Sequence, residues 1–163
     1  MTVQVTSFFD PATFSYSYLV VSGTDAAIID PVFNFDPVSG RLTTASVEAL
    51  LSAAEGLNVR WVLDTHIHAD HLSGAQWLKQ RLGARVGIGA EVVEVQTIFG
   101  GVFNCDTEFL TDGSQFDLLF ADEHTLALGD TEIKVWHTPG HTPACVSYIV
   151  DDCVFVGDTF FMP

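Results

Sequence analysis

The ten residues Thr65-His66-Ile67-His68-Ala69-Asp70-His71-Leu72-Ser73-Gly74 place three imidazoles and a carboxylate within six consecutive positions. In an extended segment side chains alternate sides, so His66 and His68 point the same way and can grip one ion. Where the chain then turns into a helix, Asp70 and His71 swing towards the same pocket. Neutral imidazole and carboxylate are ligands for zinc, iron or manganese, and no thiolate competes for the ion here. A histidine-rich polar loop is the plain alternative. It fits poorly with the apolar, strand-like Trp61-Val62-Leu63 that delivers these residues and the helical pattern that leaves them, the scaffold of a preorganised site.

Around this stretch lie 163 residues, 48% of them apolar, enough for one domain with a buried core over residues 1–163. Six Lys and Arg against 21 Asp and Glu leave a formal charge of −15. That balance argues against nucleic acid and anionic membrane as partners, since both need a basic surface. Cys105, Cys145 and Cys153 are odd in number and lack Cys-x-x-Cys spacing, which speaks against a disulfide framework or a thiolate zinc site. A reducing, cytoplasmic setting is the expectation. The first residues have no leader-like pattern, and no apolar run approaches membrane-spanning length.

Upstream of the motif, short runs rich in Val, Ile, Phe and Tyr predict antiparallel strands at residues 3–9, 15–22 and 26–30, separated by turn residues. Residues 32–42 are broken by Asn, Asp, Pro, Ser and Gly and read as loop. Thr43 or Thr44 can cap a helix carrying Val47, Leu50, Leu51 and Ala54 on one face and stopped at Gly56. A buried strand at 59–63 then completes a β-α-β unit that favours parallel pairing. Downstream, a helix is predicted over 73–82, ended by Gly83, with a strand at 85–88 and a helix at 91–99. Residues 100–122 show no period and read as loop with one short helix at 116–120. Two hairpins follow, 125–128 with 132–137 and 145–150 with 153–156.

Two later segments put polar groups at strand ends. Thr138-Pro139-Gly140-His141-Thr142-Pro143 fixes His141 in a tight turn, and Gly157-Asp158-Thr159 presents Asp158 after an apolar run. Alone, either residue would more often serve a turn than an ion. His137 reads as structural or as a group supporting the site from outside the ligand set, and His124 as solvent-exposed.

The pattern His-x-His-x-Asp-His, followed by Gly140-His141 and Gly157-Asp158, resembles the signature of the metallo-β-lactamase superfamily. The resemblance implies an α/β (α+β) fold, an αββα sandwich of two mixed sheets with helices outside and metals at one sheet edge. It also implies that the chain holds only the N-terminal half or two-thirds of that fold. The second sheet is then expected to be largely missing and an apolar face to be left open, to be covered by a second copy or a complementary chain.

The wording Thr-His-Ile-His-Ala-Asp-His-Leu-Ser-Gly, Thr-Pro-Gly-His-Thr-Pro and Val-Gly-Asp-Thr-Phe-Phe-Met-Pro, with the loop from Asp30-Pro31, further resembles the persulfide dioxygenases. These oxidise glutathione persulfide to sulfite and glutathione with O2, using one Fe(II). By position, His66, His141 and Asp158 would be the iron ligands, with His68, Asp70 and His71 around them; glutathione-binding residues are expected beyond this chain. A two-His, one-carboxylate site leaves about three positions open for exchange. The related glyoxalase II type of thioester hydrolase implies two Zn(II) ions instead, with His66, His68 and His141 on the first, Asp70 and His71 on the second, and Asp158 between them. A metal-binding fragment without turnover is the third reading.

Overall fold

The computed structural model describes residues 2–68 and 71–160. Three antiparallel strands open the chain as their turn signals predict: β1 (Gln4–Asp10), β2 (Ser15–Ser22) and β3 (Asp25–Ile29). The expected loop after them contains a small hairpin, β4 (Asn34–Asp36) with β5 (Arg41–Thr43). Its strands are too short and polar to show a period. α1 (Ala45–Ala53) buries Val47 and Leu50. Thr44 holds the N-cap position without a side-chain cap; its hydroxyl donates instead to Glu48. β6 (Asn58–Leu63) returns parallel to β3, completing the β-α-β unit.

α2 (Ala75–Leu82) ends at Gly83, whose φ of 68° is the left-handed conformation that stops a helix. β7 (Arg85–Gly89), α3 (Val92–Val102) and β8 (Leu118–Phe120) follow. β8 replaces the short helix expected at 116–120. A continuous apolar run has no period to separate the two, and parallel pairing with β7 decides for strand. The first sheet therefore has the order β1-β2-β3-β6-β7-β8.

β9 (Thr125–Leu128), β10 (Thr131–His137), β11 (Val146–Val150) and β12 (Cys153–Phe155) form a second, antiparallel sheet, ordered β12-β11-β10-β9. This corrects the expectation that the second sheet is largely missing. Val20, Ala27, Ile29, Trp61 and Leu63 of the first sheet pack against Leu128, Ile133, Val135, Tyr148 and Phe155 of the second, so the inner faces cover each other. The other face of the first sheet packs on α1 and α2 through Ile28, Val62, Val86, Leu50 and Leu78. A register shift between Ala26 and Ala27 sends Val59 to the helix side and Trp61 to the inner side. The expected sandwich is thus present through three of its layers. No helix among the described residues is long and apolar enough to cross a membrane.

Candidate metal centre

β3 and β6 run parallel and stop at the same edge, where Asp30 and the 64–68 segment emerge side by side. Asp30 has φ 48°, a left-handed conformation that costs a non-glycine residue free energy. Its surroundings hold it there. Asp30 N donates to Leu63 O at 2.9 Å, and Ser17 Oγ donates to Asp30 O at 2.7 Å. Its buried carboxylate accepts Thr65 N at 2.7 Å and Thr65 Oγ1 at 2.9 Å, and His68 Nε2 approaches at 3.3 Å. Burial opposes charge on Asp30, but the His68 and Thr65 contacts and the nearby imidazoles outweigh it and hold the group below the usual carboxylate range.

With its proton given to Asp30, the Thr65 hydroxyl can only accept from His66 Nδ1, 3.0 Å away. That contact assigns the His66 proton to Nδ1 and leaves a lone pair on Nε2. Nε2 of His66 is buried and has no hydrogen-bond partner among the described residues. Burial, then the neighbouring His68, lowers the His66 pKa to about 4, so the ring stays neutral. A buried lone pair held this way matches what a metal requires of a histidine.

Two further residues meet that nitrogen. Asp158, in the 3-10 turn Gly157–Thr159 after β12, brings Oδ2 to 3.8 Å from His66 Nε2 and 3.6 Å from His141 Nε2. The donor atoms of His66, His141 and Asp158 all lie within 4.8 Å of one another. His141 sits in the turn between β10 and β11, closed by Thr138 N to Cys145 O and Gly140 N to Thr142 O and tied to the motif by Val146 N to Thr65 O. Gly157 has φ 49°, and a Cβ there would lie 2.2 Å from Thr65 Oγ1, so only glycine lets the two segments touch.

His68 falls in a second cluster, with Asp30 and Asp64. Burial raises the Asp64 pKa to about 7, against the opposing pull of His68. Both Asp64 oxygens accept from Ser73 Oγ, at 3.0 and 2.9 Å. His71 is buried and stacks on His68 with ring centroids 4.1 Å apart. Asp70 lies outside the described residues. His137 is exposed and braces the 138–145 turn by its Nε2 contact with Pro143 O, and His124 is exposed against Phe120. Asp30, Asp64 and Thr65 have no assigned role in the reading of the sequence. The one available signal for Asp30 is its place at the end of an apolar strand, before a proline.

A groove of about 730 Å³ opens beside these clusters, lined among others by Phe14, Tyr16, Tyr18, His71, Asp158 and Phe160. No lysine or arginine lines it among the described residues.

Residues 10–163 match the Metallo-beta-lactamase superfamily, and the chain belongs to it. It is 51% identical, over its whole length, to a probable metallo-hydrolase of Burkholderia pseudomallei, covering 60% of that protein. Glyoxylase B2 of Dictyostelium discoideum is 47% identical over 84% of the chain, which covers 48% of that protein. The mitochondrial persulfide dioxygenase ETHE1 of Homo sapiens is 26% identical over 98% of the chain, which covers 54% of it. Among solved structures, ETHE1 from Myxococcus xanthus superposes with a TM-score of 0.72 at 24% identity, over 99% of this chain and 59% of that one. The chain thus spans about half to three-fifths of the length of these proteins.

Proposed function

We propose that the protein is a non-haem iron dioxygenase that oxidises a small persulfide, glutathione persulfide in the first instance, with O2, and that His66, His141 and Asp158 hold one Fe(II). The observation that carries this reading is the composition of the first cluster: two imidazoles and one carboxylate whose donor atoms converge within 4.8 Å. When bound, Fe(II) in such a set supplies redox chemistry and open positions for exchange. The residues of the chain supply the rest. Asp30 and Thr65 fix the His66 tautomer, Gly157 lets Asp158 approach, and the His68 Nε2 edge is turned to Asp30 at 3.3 Å rather than into the first cluster. The groove lined by Tyr16, Tyr18 and Phe160 offers a partly apolar wall that limits water beside the reacting sulfur.

A zinc-dependent thioester hydrolase is the second reading, favoured by the hydrolase name of the Burkholderia relative and the glyoxylase name of the Dictyostelium one. Oxygen consumption by anaerobically iron-loaded protein separates the two. The proposal expects uptake of O2 that depends on glutathione persulfide. Hydrolysis of a glutathione thioester by zinc-loaded protein, with no O2 uptake in the iron form, would overturn it.

A further inference from the structure

α3 carries one broad apolar stripe, and only its N-terminal part is covered. Val92, Val95 and the buried Gln96 face the protein, packed with Ile88 and Ala144. Further along the same stripe Ile98, Phe99, Val102 and Phe103 stand in solvent, joined by Phe109 and Leu110 from the following loop, each between 43% and 72% exposed. The apolar stripe of an amphipathic helix faces a packing partner.

We propose that this exposed C-terminal part of the α3 stripe, with the loop beside it, is a self-association surface, on which a second copy of the chain packs about a two-fold axis. The area fits. With whole aromatic side chains burying about 150–250 Å² each, the exposed parts of these six residues come to several hundred Å². That is on the order of the ~800 Å² that each partner of a standard interface contributes, once a polar rim is added. The shape is self-complementary. Ile98 with Val102 and Phe99 with Phe103 form two neighbouring i, i+4 ridges, which interdigitate with the same ridges of another helix. Phe99 and Phe103 stack at 5.9 Å. Beside them lies a hollow of about 340 Å³ bordered by Thr97, Gly101, Cys105 and Phe109, roomy enough for the ring of a partner copy. A Cβ on Gly101 would meet nothing within 4 Å, so a second backbone can approach there.

The patch is also rigid. Gln96 accepts Gly113 N and donates to Gln115, which in turn donates to Leu110 O, pinning the loop that presents Phe109 and Leu110. Residues 86–133 contain no Lys or Arg, so the apolar stripe is rimmed by acids such as Glu94, Asp106 and Glu108. Two copies therefore bring like charges together at the edge, and added salt should tighten the dimer. A basic partner would show the opposite dependence. The outer face of the second sheet is a weaker rival, because it carries Glu132 and Lys134, 3.5 Å apart. Since α3 and β8 lie at the opposite edge of the first sheet from the β1–β2 hairpin that lines the groove, the dimer leaves the metal centre open.

Sedimentation velocity over a range of protein and salt concentrations tests this. The expected result is a dimer that tightens as sodium chloride is raised, becoming monomeric in Phe103→Glu and weakened in Val102→Ser, with far-ultraviolet dichroism and metal content unchanged. If Phe103→Glu fails to fold, Val102→Ser alone reads the interface. A monomer at every salt concentration, a dimer weakened by salt, or a dimer untouched by the soluble variants overturns the proposal.

Discussion

Thr65 Oγ1 lies 3.0 Å from His66 Nδ1 while donating to Asp30 Oδ2 at 2.9 Å. One hydroxyl thereby connects a strained, buried carboxylate to the imidazole whose other nitrogen faces Asp158. Thr65→Val keeps the shape and removes the connection. Loss of such an outer partner costs 10–100-fold in metal affinity, and titration of the metal-free protein should show a fall of about that size. Thr65→Ser should restore most of it. Unchanged affinity in the valine variant would show that the hydroxyl does not orient His66.

Gly157 makes a second local prediction. An alanine there needs φ 49° and brings its Cβ within 2.2 Å of Thr65 Oγ1 and 3.3 Å of His66 Nδ1. The 3-10 turn carrying Asp158 must shift away. Gly157→Ala should lower stability by about 1–3 kcal/mol and weaken metal binding more than Thr65→Val does. Denaturant unfolding and metal titration of the two variants together check this.

Asp64 governs a pH dependence of the metal-free protein. Burial raises its pKa from 3.8 to about 7, so between those values the folded state holds a proton that the unfolded chain has released. Stability from this group is therefore fully present below about pH 4 and falls as pH rises to about 7, by up to ~1.4 kcal/mol per pH unit. His66, whose pKa falls from 6.5 to about 4 through burial, acts in the opposite direction and loses stability as pH falls through that range. Asp64→Asn should remove the first contribution and leave stability rising from pH 4 to 6.5. A variant whose unfolding profile over pH 4 to 7 matches the parent's would show that Asp64 is ionised throughout.

Tyr148 ties the centre to the core between the sheets. Its ring is fully buried, and its hydroxyl donates to Asp64 O at 2.8 Å. Tyr148→Phe should cost about 1–3 kcal/mol, because the Asp64 carbonyl is left without that donor. Chemical denaturation measures it, and a difference below a few tenths of a kcal/mol would rule the tie out.

Much of this architecture is legible in the sequence, for physical reasons that differ between elements. Val59, Trp61 and Leu63 with Gly83 and Gly129 mark strands and stops because burial and left-handed backbone leave a compositional trace. Thr131 to His137 shows its alternation because one face is buried and the other wet. The β4–β5 hairpin is invisible because three-residue polar strands bury nothing periodic. β8 is misread because Leu118-Leu119-Phe120 suits helix or strand equally until β7 pairs with it. His66, His141 and Asp158 stand out as residue types and places, and the structure brings their donor atoms together. Asp30, Asp64 and Thr65 do not, since a carboxylate or hydroxyl acting through a neighbour leaves no spacing of its own.

Metal content and sulfite production, measured side by side for the anaerobically purified protein and its His141→Ala and His71→Ala variants, test the central claim most directly. One iron per chain and sulfite formed from glutathione persulfide are predicted for the parent, with both lost in His141→Ala. His71→Ala should keep measurable iron at saturating metal, with affinity or activity lowered 10–100-fold. Two zinc ions per chain in the parent, halved in His71→Ala, with no sulfite from glutathione persulfide, would contradict it.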